Sequence, residues 1–203
     1  MNLKLNWTLT FLAVCVVVFL FQMMGLVDIL TFGFTPALAI QQPWTFVTSM
    51  FMHGDITHLF FNMFALAMFG LILESKIGSR NFFIVYFLSG IAGSIGYIIT
   101  TSNPNIPAIG ASGAVYGIMG TLAVLMPAAT VWFGGFVPMP MAFAVVFWTL
   151  SEFFGLFAPS GIAHGAHLFG LFIGLGYGFL LRKQEHRTMH RRIKLDGYAD
   201  WET

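Results

Sequence analysis

The sequence predicts an all-α integral membrane protein, a bundle of six transmembrane helices with both termini in the cytoplasm. Hydrophobic residues make up 58% of the chain and charged residues 8%, whereas soluble proteins carry about 25% charged residues. The chain also contains 24 Phe and 22 Gly, which suits helices whose bulky side chains face lipid and whose small residues face a neighbouring helix. The distribution of the basic residues then sets the orientation.

Six apolar segments account for the six expected helices, since a bilayer crossing needs about 20 residues. The segments are Trp7–Val27, Thr57–Glu74, Asn81–Thr100, a shorter one from Ser112 to the residue before Pro127, one within Val131–Phe154 and one within Ile162–Leu181. The first is longer than the apolar core of a signal peptide and has no clear cleavage site, so we expect it to remain as a helix. Residues 1–181 are predicted to form one membrane domain and residues 182–203 a basic, solvated cytoplasmic tail.

The basic residues orient this bundle. With the N-terminus in the cytoplasm, all nine Lys and Arg residues fall on the inner side, as the positive-inside rule requires. They are Lys4, Lys76, Arg80, Arg182, Lys183, Arg187, Arg191, Arg192 and Lys194. The outer side then receives the loops before Ser112 and His167. It also receives Asp28–Met50, an apolar segment that is interrupted by Gly and Pro and is expected to lie at the membrane interface.

Polar side chains inside membrane helices are costly, so each is a functional hypothesis. Three sets lie near the outer ends of their predicted helices. His58 and Asn62 are four residues apart and share one helical face, with His53 shortly before them. The other two sets are Gly110–Gly113, where the fourth helix begins, and His164–His167, where the sixth begins.

Two glycine series indicate which helices approach each other. The series lie below Ser112 in the fourth helix and below His167 in the sixth. Their members are Gly113, Gly117 and Gly120 in one helix and Gly170, Gly174 and Gly178 in the other. Small residues at such spacing allow close helix contact. If the two series meet, Ser112 and His167 come within hydrogen-bond reach at equal depth, as a nucleophile and base without a third partner.

Donors for an oxyanion are present around the same serine. Ser112 opens a helix, so its backbone N–H is free and the helix dipole favours negative charge there. Asn62 and His58 are suitable side-chain donors. Gly110 and Gly113 are expected to let the backbone turn tightly and to keep the hydroxyl uncrowded.

Each of these features has a simpler explanation when taken alone. A serine in a membrane helix usually bonds a carbonyl one turn back, glycine series are common packing devices, and Asn62 could serve only to hold helices together. His53 and His164 could be wetted interfacial residues. The functional hypothesis depends on a Ser, a His and a His–Asn pair that meet from three different helices.

Three motifs, in this order along the chain, resemble the rhomboid family of intramembrane serine proteases. They are H-G-x-x-x-H-L-x-x-N from His53 to Asn62, G-A-S-G at Gly110–Gly113, and A-H-x-x-G-x-x-x-G from Ala166 to Gly174. The resemblance implies that Ser112 is the nucleophile and His167 its general base. It also implies that Asn62, His58 and the Ser112 backbone line the oxyanion hole, that Tyr116 packs on the catalytic imidazole, and that Gly170 supports helix contact.

The resemblance extends over essentially the whole chain and implies a minimal six-helix rhomboid-like bundle with no seventh helix. Asp28–Met50 would be the half-submerged loop after the first helix, and Phe154–Gly161 would cap the site. Phe61 and the Phe147/Trp148 pair would flank a lateral entry between the second and fifth helices. Glu74 followed by Gly78 suits the family's second-helix end, whereas Thr45 departs from it, since many relatives have Arg after the Trp.

The resulting functional prediction is an intramembrane serine endopeptidase that uses a Ser112–His167 dyad. Its expected substrates are single-span membrane proteins, cleaved near the outer interface of the cell membrane. The lipid bilayer is the other expected partner, and neither nucleic acid, a cofactor nor a metal is expected. The oligomeric state stays open.

Three alternatives belong to other classes. A catalytically inactive binder of membrane helices would have the same fold, but it would be expected to lack the Ser or the His. A channel or transporter would favour broken helices or repeat symmetry, and no repeat is evident. A metalloenzyme could use the imidazoles of His53, His58, His164 and His167. Against this, we find no carboxylate placed to orient them and no H-E-x-x-H sequence.

Overall fold

The computed structural model describes residues 6–133, 136–158 and 160–199. Its helices, in chain order, are α1 (Trp7–Met23), α2 (Ile29–Phe32), α3 (Thr45–Thr48), α4 (Ile56–Ala65), α5 (Leu71–Thr100), α6 (Ser112–Leu125), α7 (Met141–Gly155) and α8 (His164–Ala199). Short 3-10 turns occupy Pro36–Leu38 and Ser49–Phe51, and a π-helical turn, Leu66–Gly70, joins α4 to α5. Strands β1 (Thr130–Phe133) and β2 (Val137–Pro140) pair antiparallel.

The predicted second and third helices lie in one apolar helical run, Ile56–Thr100. Gly78 breaks this run, because its φ of 78° and ψ of 157° are not helical. Ile56–Thr100 and His164–Thr188 are each long and apolar enough to cross a membrane. Three shorter apolar helices accompany them within the described ranges, namely α1, α6 and α7.

The structure differs from the expected elements in three places. The first helix ends at Met23, before Val27, because Gly25 adopts a left-handed φ of 70° that stops it. The regular elements that the structure describes are helices, as predicted, except for β1 and β2, which pair antiparallel. Pro138 and Pro140 disfavour a helix interior there, so α7 starts only at Met141.

The third difference concerns the polar tail, whose described residues are helical. Helix α8 continues beyond Leu181 to Ala199, so the membrane segment and most of the tail form one element. The residues after Leu181 are mainly good helix formers such as Arg, Lys, Gln and Glu, with no Pro among them. A change from apolar to polar residues therefore leaves the helix itself unbroken.

The segment after α1 is anchored by its own hydrogen bonds. The indole of Trp44 donates to the Thr31 carbonyl at 2.9 Å, and the buried Thr45 hydroxyl donates to the Gln42 carbonyl at 2.6 Å. Phe34 and Ala108 form an antiparallel bridge, with N–O distances of 3.0 and 2.8 Å. The segment is thus held without an arginine at position 45, and it braces the chain that leads into α6.

Helix α6 lies at the centre of the bundle, packed most extensively against α8 and α5. Nearly all of its residues from Gly113 to Val124 are buried. An aromatic cluster built on Phe11, Phe82 and Tyr86 fills the space between α1 and α5. The residue at the start of α6 is therefore presented by the most enclosed helix of the fold.

Glu74 joins α1 to α5 through a buried carboxylate that is 5% exposed. One oxygen accepts from the Trp7 backbone N–H at 2.8 Å and the Ser79 hydroxyl at 2.7 Å. The other accepts from the Thr8 backbone N–H at 2.8 Å and its hydroxyl at 2.7 Å. All these donors are satisfied by one anion, which ties the N-terminus of α1 to the bundle.

Replacing Glu74 by Gln is expected to destabilise the fold by about 2–3 kcal/mol, because an amide NH₂ would face the Thr8 donors. The measurement is the free energy of unfolding in detergent. Glu185→Gln is the matched control. It removes only the 3.5 Å ion pair with Lys76, whose side chains are well exposed, and should change stability by less than about 0.5 kcal/mol. Equal effects of the two variants would contradict the assignment.

Candidate active site

Ser112 and His167 are in hydrogen-bond contact. Ser112 is the first residue of α6, and His167 lies in the first turn of α8. The Ser112 Oγ is 2.7 Å from His167 Nε2. The helix carries no side-chain cap at its N-terminus, so the first backbone N–H groups of α6 lack partners within the helix. A hydroxyl, an imidazole and a helix N-terminus thus meet at one point.

The two glycine series meet and bring α6 and α8 into backbone contact. A methyl group added at Gly170 would collide with the Gly113 carbonyl, and one added at Gly174 would collide with the Gly117 carbonyl. The Thr121 hydroxyl donates to the Gly174 carbonyl at 2.9 Å. The absence of side chains at these crossings sets the separation between Ser112 and His167.

Gly110 and Gly113 differ in backbone conformation. Gly110 has a left-handed φ of 123°, and a Cβ there would lie 2.8 Å from His58 Nε2. The expectation of a tight turn therefore holds for this residue. It is wrong for Gly113, which has helical backbone inside α6 and whose Cβ would make contacts no closer than 3.5 Å.

Tyr116 stacks on the imidazole of His167. The ring centroids are 4.5 Å apart and the planes differ by 8°. Because Tyr116 follows Ser112 by one helical turn, the same helix supplies the hydroxyl and the surface on which the imidazole lies. The ring of His167 can then rotate little without losing this contact.

Glu152 of α7 contacts the same imidazole, although the sequence analysis did not single it out. Its carboxylate is buried at 7% exposure. Oε2 lies 2.9 Å from His167 Nδ1 and 2.5 Å from His164 Nδ1, and Oε1 accepts from the Tyr116 hydroxyl at 2.5 Å. The expectation that no carboxylate is placed to orient the histidines is therefore wrong. A lone carboxylate within an apolar helix was the signal that would have found it.

His58 lies close to Gly110 and Ser112. Asp55 caps α4 by accepting from the His58 backbone N–H at 2.8 Å, which fixes His58 in the first turn. The position that a Cβ would take at Gly110 is 2.8 Å from His58 Nε2 and 3.8 Å from Ser112 Oγ. The imidazole and the hydroxyl therefore border the same small space.

Asn62 is buried in α4, one turn after His58, but its amide is engaged elsewhere. The Nδ2 group donates to the His58 carbonyl at 2.9 Å. The Oδ1 atom has no hydrogen-bond partner in the part of the chain that the structure describes. No hydrogen bond joins Asn62 to Ser112, and the Asn62 amide is bonded within its own helix, so a role as oxyanion donor would require this amide to exchange that bond.

His53 is fully buried and is not a wetted interfacial residue. Its backbone N–H and carbonyl pair with the side-chain amide of Gln22 at 3.1 and 3.0 Å. Its ring lies 5.1 Å from that of His58, centroid to centroid. Burial lowers the pKa of His53 to about 4, so it is neutral at ordinary pH. Both ring nitrogens of His53 are buried without a hydrogen-bond partner among the described residues.

The histidines do not assemble into the four-imidazole site considered above. Within the described residues, the group that could hold a metal is instead Glu152, His164 and His167, whose donor atoms lie within 4.8 Å of one another. Both Nδ1 atoms are at hydrogen-bond distance from one carboxylate oxygen, and His167 Nε2 faces Ser112. The three side chains therefore form a close cluster in which His164 is hydrogen-bonded to Glu152 and His167 Nδ1 lies 2.9 Å from the same oxygen.

The surroundings implied by the resemblance are largely open. Phe154 and Phe157, in the segment expected to cap the site, are 65% and 77% exposed, and residue 159 of that segment lies outside the described residues. Phe61 of α4 and Phe147 of α7 are also mostly exposed. Helices α4 and α7 are not among the extensively packed pairs.

Comparisons with known proteins show which family the chain resembles. Residues 40–184 match the model of the Rhomboid domain family. The chain is 32% identical over 160 residues to "Putative rhomboid protease YdcA" of Bacillus subtilis, covering 76% of each protein. It is 34% identical over 161 residues to "Rhomboid protein 1, mitochondrial" of Saccharomyces cerevisiae, covering 74% of this chain and 45% of the yeast protein.

A third relative carries a different description. "Inactive RHOMBOID-like protein 8" of Arabidopsis thaliana is 34% identical over 79 residues, which is 39% of this chain and 22% of that protein. The chain thus spans less than half of the yeast and plant relatives named here and about three quarters of the bacterial one. The family match covers most of the chain and includes His53, Ser112 and His167. The chain belongs to the rhomboid family.

Proposed function

We propose that this protein is an intramembrane serine endopeptidase with Ser112 as nucleophile and His167 as general base. The observation that carries the proposal is the 2.7 Å contact between Ser112 Oγ and His167 Nε2 at the centre of an apolar helical bundle. Membership of the rhomboid family and relatives named as proteases support it. The protein would cross the cell membrane six times, with both termini in the cytoplasm and the site opening outward.

The reaction is acyl transfer. His167 Nε2 accepts the Ser112 proton as Oγ attacks the substrate carbonyl, and the imidazolium then protonates the leaving amine. Water, activated by the same imidazole, hydrolyses the acyl-enzyme and restores Ser112. The tetrahedral oxyanion would be held by the free backbone N–H groups at the start of α6, with His58 Nε2 and, after its rearrangement, the Asn62 amide as side-chain donors.

Substrates of this site would be single-span membrane proteins that enter between α4 and α7. A peptide bond inside a helix is shielded because its N–H and carbonyl are bonded within the helix. Cleavage would therefore favour small or helix-weakening residues near the outer interface. There the substrate helix can unwind and expose a peptide bond to Ser112. The exposed Phe61 and Phe147 would form the apolar sides of this entry.

The alternative of an inactive binder has one supporting observation, since a relative over 79 residues is named inactive. A binder needs the helical bundle but not a serine in contact with a histidine. The presence of both Ser112 and His167, at hydrogen-bond distance, favours the enzyme. The two proposals differ in whether Ser112 is chemically activated.

Labelling with a fluorophosphonate probe tests that activation without knowledge of the substrate. The wild-type protein should be labelled, as Oγ displaces fluoride at phosphorus, while Ser112→Ala and His167→Ala should remain unlabelled. Labelling should persist in EDTA, because no metal takes part in this reaction. Labelling that is equal in wild type and Ser112→Ala, or absent from folded wild type, would contradict the serine protease and favour the binder.

A further inference from the structure

We propose that Glu152 is a positioning residue that converts the Ser112–His167 pair into a Ser–His–Glu triad. The inference deepens the proposed function and depends on it. It assigns to the buried carboxylate of α7 a role in holding His167 in the orientation and tautomer that the reaction requires.

The first reason to assign Glu152 to the site is the tautomer that His167 must adopt. To accept the Ser112 proton, Nε2 must be unprotonated, so Nδ1 must carry the hydrogen of the neutral imidazole. Glu152 Oε2 lies 2.9 Å from this Nδ1, which has no well-aligned hydrogen bond to any described group. A carboxylate accepts hydrogen bonds only, so it stabilises the Nδ1–H form over the form that would protonate Nε2.

The contact is bent away from the direction of an ideal hydrogen bond. Such bonds in unliganded active sites are often poorly aligned and tighten when substrate binds. The imidazole plane itself is already fixed by the stacked ring of Tyr116. Alignment therefore needs only a small adjustment of the carboxylate.

The carboxylate is held from both sides. The Tyr116 hydroxyl donates to Oε1, and His164 Nδ1 donates to Oε2. His164 Nε2 is in turn 2.7 Å from the Ser160 hydroxyl. Tyr116 thus fixes the plane of the His167 imidazole with its ring and the position of Glu152 with its hydroxyl.

The second reason to assign Glu152 to the site is the balance of charge around His167. When His167 takes the serine proton it becomes an imidazolium in a buried site, where an unpaired charge is strongly unfavourable. The titratable groups that face it are His58 of α4, Tyr116 of α6, Glu152 of α7 and His164 of α8. Two of these four are histidines, which carry no negative charge, and tyrosine ionises only near pH ~10. Glu152 is therefore the group that supplies negative charge near neutral pH and compensates the transient imidazolium.

The test compares Glu152→Gln with wild type in detergent, using a single-span substrate and separate kcat and KM values. Glu152→Gln keeps the size of the side chain but removes its charge. We expect kcat to fall by about 10²-fold or more, toward the roughly 10⁴-fold loss known for an amide at the third position of a serine protease triad. KM should stay within about twofold, since Glu152 does not touch the substrate.

A second variant, Glu152→Ala, supplies a readout that a structural role would not give. Formate, a small carboxylate, should enter the vacated space and raise kcat of Glu152→Ala severalfold over the same concentration of chloride. Glu74→Gln is the matched control. It alters another buried carboxylate that only holds helices together, so it should lower stability, leave kcat per folded molecule unchanged and be insensitive to formate.

Three outcomes would overturn the assignment while leaving the protease proposal intact. They are a kcat of Glu152→Gln within about threefold of wild type, a loss that matches the decrease in folded protein, and equal rates of Glu152→Ala in formate and chloride. If wild type itself lacks Ser112-dependent cleavage and labelling, the protease proposal fails and the triad fails with it.

Discussion

Replacing Ser112 by Ala is expected to lower the cleavage rate of a single-span substrate by about 10⁵–10⁶-fold, and His167→Ala should do nearly the same. Each variant removes one side of the 2.7 Å contact, so the nucleophile is either absent or left without a base. Cleavage by purified protein in detergent or proteoliposomes, resolved on a gel, measures the effect.

The double variant, Ser112→Ala with His167→Ala, is the informative companion. Two residues that act as one unit do not contribute independently, so the double variant should be about as slow as either single one. The thermal unfolding midpoint should stay close to that of wild type in all three proteins. Turnover like that of wild type in either single variant would refute the assignment of nucleophile and base.

Gly174→Ala is expected to have the second-largest effect. Its methyl group would run into the backbone of Gly117 at the α6–α8 crossing, and a carbonyl within a helix cannot move aside. Overpacking of this kind costs about 1–3 kcal/mol. Because the same crossing sets the distance between Ser112 and His167, fluorophosphonate labelling should also slow by about 10²-fold, the usual result of a displacement near 1 Å.

Gly176→Ala is the matched control on the same helix. No atom lies within 4 Å of the Cβ that Gly176 would gain. Its unfolding midpoint should be equal to or slightly above that of wild type, since Ala favours helix more than Gly, and its labelling rate should be unchanged. A similar loss in both variants would mean that the close approach of α6 and α8 is not what positions the pair.

Several parts of the site were predictable because they depend on the spacing of residues within a single helix. His58 and Asn62 share a helical face through their four-residue spacing, and the glycine series lie below Ser112 and His167 at helical intervals. These patterns depend on the geometry of a single helix, which sequence spacing specifies directly. The contact between Ser112 and His167 follows once two such series are allowed to pack.

Glu152 was missed for a different reason. It lies 15 residues before His167 in the chain and on another helix, in a segment without a motif. Its partners Tyr116, His164 and His167 come from α6 and α8. Which side chains a carboxylate of α7 meets depends on how that helix is rotated against its neighbours, and no spacing within α7 encodes this rotation.

Some secondary-structure elements were likewise predictable from the sequence and others were not. Composition and periodicity determined a mainly helical membrane protein with apolar segments close to α1, α4–α5, α6, α7 and α8, because burial in lipid demands such residues. The hairpin at residues 130–140 and the continuation of α8 to Ala199 were not anticipated. The hairpin depends on pairing between β1 and β2, and the extent of α8 on helix propensity rather than on hydrophobicity.

By itself the sequence determined the membrane class, the family motifs and the identities of the nucleophile and base candidates, since these depend on residue type and local spacing. Only the tertiary structure decided that the Glu152 carboxylate lies beside His167, that His53 is fully buried and that the Asn62 amide bonds its own helix. The physical reason is that two polar groups on different helices form a hydrogen bond only if their separation is correct to within a few tenths of an ångström. Those distances arise only when all the helices have packed together.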